Sequence, residues 1–266
     1  MLLERITEEQ RRNAKGKVRE LPPLNTSDLP ELPEGWIWTG FGTIVESMQN
    51  GIYKQRHFYS DDGVACLRMY NIEDGKIIWK DIKRMSLTTD EIDRYGLKFG
   101  DILVNRVNSR ELVGKTAPIP SGLETCVYES KNIRIRLLDG IESKYVAFWF
   151  QVFAQRFFNR NAQQTVGMAS INQEQIPSMP IPFTVTAEQK QIVSEIERCF
   201  SVADEIEKVV EQSLKQAERL RQSILKRAFE GKLMPQDPTD EPAEKLLERI
   251  KTEKAKIVQP LRVKVK

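Results

Sequence analysis

From Ala187 to Phe229 the chain contains neither Pro nor Gly, the residues that break or loosen a helix. Within this stretch Ile192, Ile196, Cys199, Ala203, Ile206, Val210, Ser213, Ala217, Leu220 and Ile224 recur at alternating steps of four and three residues. Their mean spacing of about 3.5 residues is the coiled-coil period, and the positions between them are mostly Glu, Lys, Arg and Gln. Thr186 is the expected N-cap, and Gly231 followed by Pro235 ends the helix. At about 1.5 Å per residue the rod is roughly 65 Å long. A lone helix of that length overhangs any domain the remaining chain can build. The seam therefore calls for another long helix, in this chain or in a second copy, with packing on its own domain as the plainer alternative. Small residues at Cys199, Ala203, Ser213 and Ala217 imply close approach of the two backbones.

The rest of the 266 residues suffices for one substantial domain plus extensions. A net charge of +3 says little about partners. Cys66, Cys126 and Cys199 lie far apart with no C-x-x-C, which fits a reducing compartment and neither a disulfide framework nor a zinc site. The first residues, MLLERITEEQRR, are too charged for a signal peptide, and no apolar run approaches the ~20 residues of a membrane span. The expected location is the cytoplasm.

In chain order, residues 1–20 read as a short charged helical segment and 21–35, with four prolines, as an extended linker. Residues 36–186 form the globular part. Strand-like runs occur at Trp36 to Thr39, Val64 to Met69, Lys76 to Trp79, Asp101 to Val104, Thr116 to Ile119 and Ile133 to Leu138. Helical patterns lie at Thr89 to Tyr95 and Ser143 to Asn159. In the second, Tyr145, Phe148, Trp149, Val152, Phe153 and Phe157 share a face that reads as core and not as a base-stacking platform. The class is α+β, a mixed α/β globular domain followed by a long coiled-coil-forming helix over 187–230. The lack of strict βαβ alternation argues against a doubly wound nucleotide-binding domain. Ile176 to Phe183 reads as a proline-rich connector. Residues 231–266 read as a connector, a short helix from Ala243 to Ile257 and a basic tail. The pentapeptide LLERI occurs twice, at Leu2 to Ile6 and Leu246 to Ile250, as if the unit were cyclic.

Catalytic motifs are missing: there is no G-x-G-x-x-G, P-loop or G-x-S-x-G. His57 is the single histidine and reads as a surface or binding residue. Asp62, Asp74 and Lys76 resemble the acidic residues and lysine of a metal-dependent nuclease, although a hairpin already explains the turn at Glu73 to Lys76. Binding signals are stronger. No carboxylate occurs from Ser143 to Gln173, a window holding Arg156, Arg160, Gln163, Gln164 and Ser170. A second polar cluster has Asn105, Arg106, Asn108 and Arg110, and a third has Tyr53, Lys54, Arg56 and His57. Arg, Asn and Gln pair with base edges, and Arg also neutralises phosphate. Each cluster alone also fits a solvated loop. Three in one domain point to nucleic acid, with any positive face local.

An ordered series of motifs then carries a resemblance. It runs from Leu32-Pro33-Glu34-Gly35-Trp36 through Phe99-Gly100-Asp101-Ile102-Leu103 to Asn108-Ser109 with Glu111-Leu112-Val113-Gly114-Lys115. It continues with Ile171-Asn172 to Pro177, Pro180-Ile181-Pro182 and Ala187-Glu188-Gln189-Lys190-Gln191-Ile192. It ends at Gln222-Ser223-Ile224-Leu225-Lys226 and Ala228-Phe229-Glu230-Gly231-Lys232-Leu233. The chain resembles the specificity subunits of Type I restriction-modification systems. That likeness implies a target recognition domain reading one half of a bipartite site in double-stranded DNA. It also implies spacer helices that set the distance between half-sites and dock modification subunits, and no catalysis. S-adenosylmethionine, ATP and Mg would belong to partner subunits, a restriction subunit among them. Family members usually hold two recognition domains and two helices. A single set here implies a half-length form that pairs with a second copy or with an N-terminal half. A coiled-coil scaffold without DNA contact is the remaining alternative.

Overall fold

A computed structural model describes residues 24, 26, 29–109, 111–154, 157, 163–165 and 168–257. The expected N-terminal segment, the first LLERI copy, part of the proline-rich linker and the basic tail lie outside these residues. The chain divides into two compact units, residues 1–198 and 199–266. The division falls inside the long helix and not at its start, the boundary expected from sequence.

The first unit is built on an antiparallel sheet of β2 (Val45–Asn50), β11 (Asn132–Leu137), β7 (Ile102–Asn105) and β9 (Thr116–Pro118), in that order. Side chains alternate across its two faces. Ile102, Val104, Ile133 and Ile135 enter the main core with Phe41, Ile44, Tyr145, Val146 and Phe150. Leu103 enters a second core with Leu67, Ala117 and Tyr128. That core belongs to a second sheet, in which β3 (Tyr59–Leu67) runs between parallel β10 (Cys126–Tyr128) and antiparallel β6 (Lys83–Met85). β4 (Ile72–Glu73) and β5 (Lys76–Ile77) form the expected hairpin. α1 spans Thr89–Tyr95, as its sequence predicts, because Thr88 and Glu91 close a reciprocal capping box.

The proline-rich stretch is more than a connector. β14 (Pro180–Phe183) is wholly buried and pairs antiparallel with β1 (Ile37–Gly40). Prolines fit because this ladder has only two strands, so one side of β14 needs no N–H donor. The carbonyls on that side accept from Tyr145 Oη, at Pro182 O (2.9 Å), and from Trp149 Nε1, at Pro180 O (2.9 Å). Both donors come from α2 (Ser143–Trp149). The aromatic stripe therefore is core, as expected, with one change of phase. A π-helical turn at Phe150–Ala154 widens the helix after Trp149. It buries Phe150 and leaves Val152 exposed.

α3 (Thr186–Phe229) begins in the first unit. Thr186 is not its cap: its hydroxyl donates to Gly140 O at 2.6 Å, and the helix starts one residue earlier than expected. Gln189 and Val193 are buried, and Ile192 packs against the main core. Ile192 therefore belongs to the domain and not to an interhelical seam. In the second unit α3 ends in a Schellman motif: Lys232 N donates to Arg227 O (2.8 Å) and Gly231 N to Ala228 O (3.1 Å). Gly231 sits at φ +68°, which glycine adopts without a Cβ penalty. α4 (Ala243–Ile257) follows. Among the described residues no helix is long and apolar enough to cross a membrane.

Candidate nucleic-acid interface

Strand register brings sequence-remote loops to one end of the central sheet. Asn50, at the end of β2, pairs with Ile133, and Asn105, at the end of β7, pairs with Asn132. Three segments leave from this edge: 51–58, 106–109 and the turn 129–131. They are tied by backbone bonds from Gly51 N to Asn132 O (3.0 Å), Ser130 N to Ile52 O (2.9 Å) and Arg106 N to Lys131 O (2.8 Å). Gly51 permits this approach, since a Cβ there would lie 2.3 Å from Glu129 O. Two strands of the acid-free stretch join the same end. β8 (Val107–Asn108) pairs with β13 (Met168–Ser170), which pairs with β12 (Gln163–Thr165). Ser170 lies opposite both Val107 and Gln163. The described residues of the three polar clusters thus share one end of the domain.

The individual residues divide. Tyr53 is 78% exposed, and Arg56 and His57 are exposed beside it. Lys54 is engaged: its ammonium pairs with Glu91 Oε1 at 2.5 Å and lies 4.4 Å from the Phe58 ring centre. The Lys54 hydrogen bond, followed by that from the Thr88 backbone, holds the Glu91 carboxyl below its usual range. This pair anchors the 51–58 loop to the start of α1. Arg106 is half-buried, and its Nε has no hydrogen-bond partner among the described residues. Ser170 is half-buried, and Gln163 and Gln164 lie in β12. Arg110, Arg156 and Arg160 fall outside the described residues.

Asn105 and Asn108 are a correction. They are 0% and 8% exposed, and their amides form a buried chain. Asn108 Nδ2 donates to Asn105 Oδ1 (2.9 Å), and Asn105 Nδ2 donates to Asn132 Oδ1 (3.1 Å). Buried amides must find partners inside the fold, and these find one another, beneath the loops. They brace the candidate surface and are not free to reach a base. The nuclease set does not assemble either. Asp62 lines a depression with Arg84 and Glu124, whereas Asp74 lines a different one with Glu111 and Lys115. Among the described residues no group of three His, Cys, Asp or Glu is placed to hold a metal ion.

A family model, the Type I restriction modification DNA specificity domain, matches residues 53–216. The chain belongs to this family. Among curated relatives, the Type I restriction enzyme StySPI specificity subunit of Salmonella potsdam is 32% identical over 232 residues, covering 83% of this chain and 50% of that one. The EcoKI specificity subunit of Escherichia coli K12 is 31% identical over 226 residues, covering 81% and 48%. The chain thus spans about half the length of these relatives. The fold matches a chain from a structural study of assembly and conformational transition in the type I R-M system (TM-score 0.63, 19% identity, 87% of this chain and 57% of that one). It also matches the HsdS subunit from Thermoanaerobacter tengcongensis (TM-score 0.55, 17% identity, 87% and 56%).

Within this specificity domain the same end of the sheet carries cations that the sequence reading passed over. Arg68 and Tyr70 follow β3 directly, and Lys131 lies in the turn that ties the loops together. The expected strand Val64 to Met69 took in Arg68, whereas the observed strand ends at Leu67 and leaves Arg68 in the segment that follows. In the second unit, Cys199, Ala203, Ile206, Val210, Ser213, Ala217, Leu220 and Ile224 of α3 are all exposed, with Ile206 at 59% and Leu220 at 62%. Ile196, in the first unit, is half-buried. Leu246, Leu247 and Ile250 of α4 are likewise exposed.

Proposed function

We propose that this chain is a DNA-recognition module of a Type I restriction-modification assembly, reading one half of a bipartite site in duplex DNA. The observation that carries this reading is the meeting of residues 51–58 and 106–109 with strands β12 and β13 at one end of the sheet, in a family of DNA specificity domains. Exposed Tyr53, Arg56 and His57, with Arg106 and the β12–β13 ribbon, are the surface offered to DNA; Asn105 and Asn108 hold it in place. In this reading the chain itself is not catalytic. Methyl transfer from S-adenosylmethionine belongs to modification subunits docked on the helices. ATP- and Mg-dependent cleavage belongs to a restriction subunit where one is present, and the assembly works in the cytoplasm.

The exposed stripe from Cys199 to Ile224 is the seam that pairs two such chains, or this chain with an N-terminal half. The half-length match to the relatives and the repeated LLERI support the same arrangement. Equilibrium sedimentation of the purified chain at tens of micromolar should show a dimer that Ile206→Glu dissociates. A monomer throughout would refute the self-pairing. For recognition, the chain with its modification subunits should retain one duplex from a random pool, and affinity should fall steeply with salt. Equal retention of all duplexes would overturn the role in sequence recognition.

A further inference from the structure

Arg68, at this end of the sheet, has a side chain that is already fixed and still carries free donors. Its backbone N–H donates to Asn71 Oδ1 at 2.9 Å. Its Nε donates to Glu129 Oε2 at 2.9 Å, and its Nη1 donates to Tyr70 Oη at 3.1 Å. The guanidinium carbon lies 5.0 Å from the centre of the Tyr70 ring. Glu129 is fixed in turn, since its Oε1 accepts from Met69 N at 3.1 Å. The carboxylate is the buried partner, with its side chain 9% exposed against 28% for Arg68, and Tyr70 is 46% exposed. Glu129 and Lys131 belong to the turn that ties the 51–58 and 106–109 segments. The arginine therefore stands among the loops already assigned to DNA.

This geometry differs from a structural ion pair in what it leaves over. Both Nη2 hydrogens and the second Nη1 hydrogen have no partner among the described residues. A guanidinium held through its Nε and braced by a tyrosine keeps its outer edge in one plane, so little rotamer freedom is lost on docking. An edge of two N–H donors matches the O6 and N7 acceptors of guanine in the major groove. A lysine offers a point charge and no such edge.

We propose that Arg68 is a base-reading residue of this domain, presenting Nη1 and Nη2 to a guanine, with Glu129 and Tyr70 positioning it. The proposal rests on the DNA-recognition reading above. The test is selection by the chain with its modification subunits from a randomised duplex library, followed by binding of the enriched duplex and its single-position variants across a salt series. Arg68→Ala should bind the enriched duplex about 5- to 150-fold more weakly and lose preference at one G·C position. Arg68→Lys, which keeps the charge, should lose the same preference. Glu129→Gln should relax that position while leaving the salt dependence of binding unchanged, a result that a purely structural pair would not produce. Thermal melting identifies folded variants, and if Arg68→Ala does not fold, Arg68→Lys and Tyr70→Phe decide. Equal weakening of every duplex, with the log–log salt slope reduced by about one, would make Arg68 a phosphate contact and overturn the proposal. So would unchanged selection by both Arg68 variants. If the unsubstituted chain with its modification subunits enriches no motif, the DNA-recognition reading fails first and takes this proposal with it.

Discussion

Replacing Asn105 by Ala separates a bracing role from a reading role. The side chain is 0% exposed and engages two other side chains: its Oδ1 accepts from Asn108 Nδ2 at 2.9 Å, and its Nδ2 donates to Asn132 Oδ1 at 3.1 Å. Truncation strands one buried donor and one buried acceptor. An orphaned buried polar group costs about 1–3 kcal/mol, so two give roughly 2–6 kcal/mol, with about 4 kcal/mol as the central expectation. The backbone ladder is untouched, since Asn105 N still donates to Lys115 O and Gly114 N to Asn105 O. In a chain of this size each kcal/mol lowers Tm by roughly 2–4 °C, which predicts a fall of roughly 8–16 °C. Urea unfolding followed by fluorescence of Trp36, Trp38, Trp79 and Trp149 measures the same loss as a shift in midpoint at constant slope. A cycle with Asn132→Ala should show a coupling of at least about 1 kcal/mol, because the two amides share one bond. A stability loss below about 1 kcal/mol, together with lost DNA binding, would refute the bracing role and return Asn105 to the recognition surface.

Asp101 is 2% exposed and takes both prongs of Arg136, at 2.7 Å each, as well as Lys98 N at 2.8 Å. Asp101→Asn should cost about 2–3 kcal/mol in a urea melt, less than a fully buried pair because Arg136 keeps a quarter of its side chain in water. Burial, then the charge of Glu129, pushes the Cys66 thiol up to about 12, and burial, then Glu124, pushes Cys126 up to about 11. Both folded values lie above the ordinary 9.0, so the stability linked to these thiols is full below pH 9 and is lost as the pH rises through 11 and 12. Cys66→Ala should flatten that alkaline loss in melts taken from pH 8 to 11. Iodoacetamide at pH 8 should label exposed Cys199 in the native protein, and Cys66 and Cys126 only in denaturant. For Lys54→Met, an NMR titration should find the Glu91 carboxyl moving up towards its ordinary 4.5. An unchanged titration would show that Lys54 does not anchor the loop to α1.

Some of this protein was legible from its residues because the deciding forces are local. α3 follows from a long run free of Pro and Gly with a 3.5-residue apolar period, and its end follows from Gly231. α1 follows from Thr88 and Glu91, three residues apart. The motif series named the family without any geometry. Other features depend on which segments meet. Pro180 and Pro182 read as a connector until β1 lies beside them on one side only and Tyr145 and Trp149 satisfy their carbonyls. Ile192 fits the heptad as well as Ile206 does, and only the packing of the domain against the start of α3 takes it from the seam. Asn105 and Arg106 are neighbours with equal claims in sequence, yet the register of β7 against β11 turns the asparagine amide towards Asn132. Arg68 gains its fixed plane from Glu129, 61 positions away. Period and capping thus determined the elements, because they act within one or two turns. Strand order determined the candidate surface, because polar side chains carry no mark of which face of a sheet will bury them.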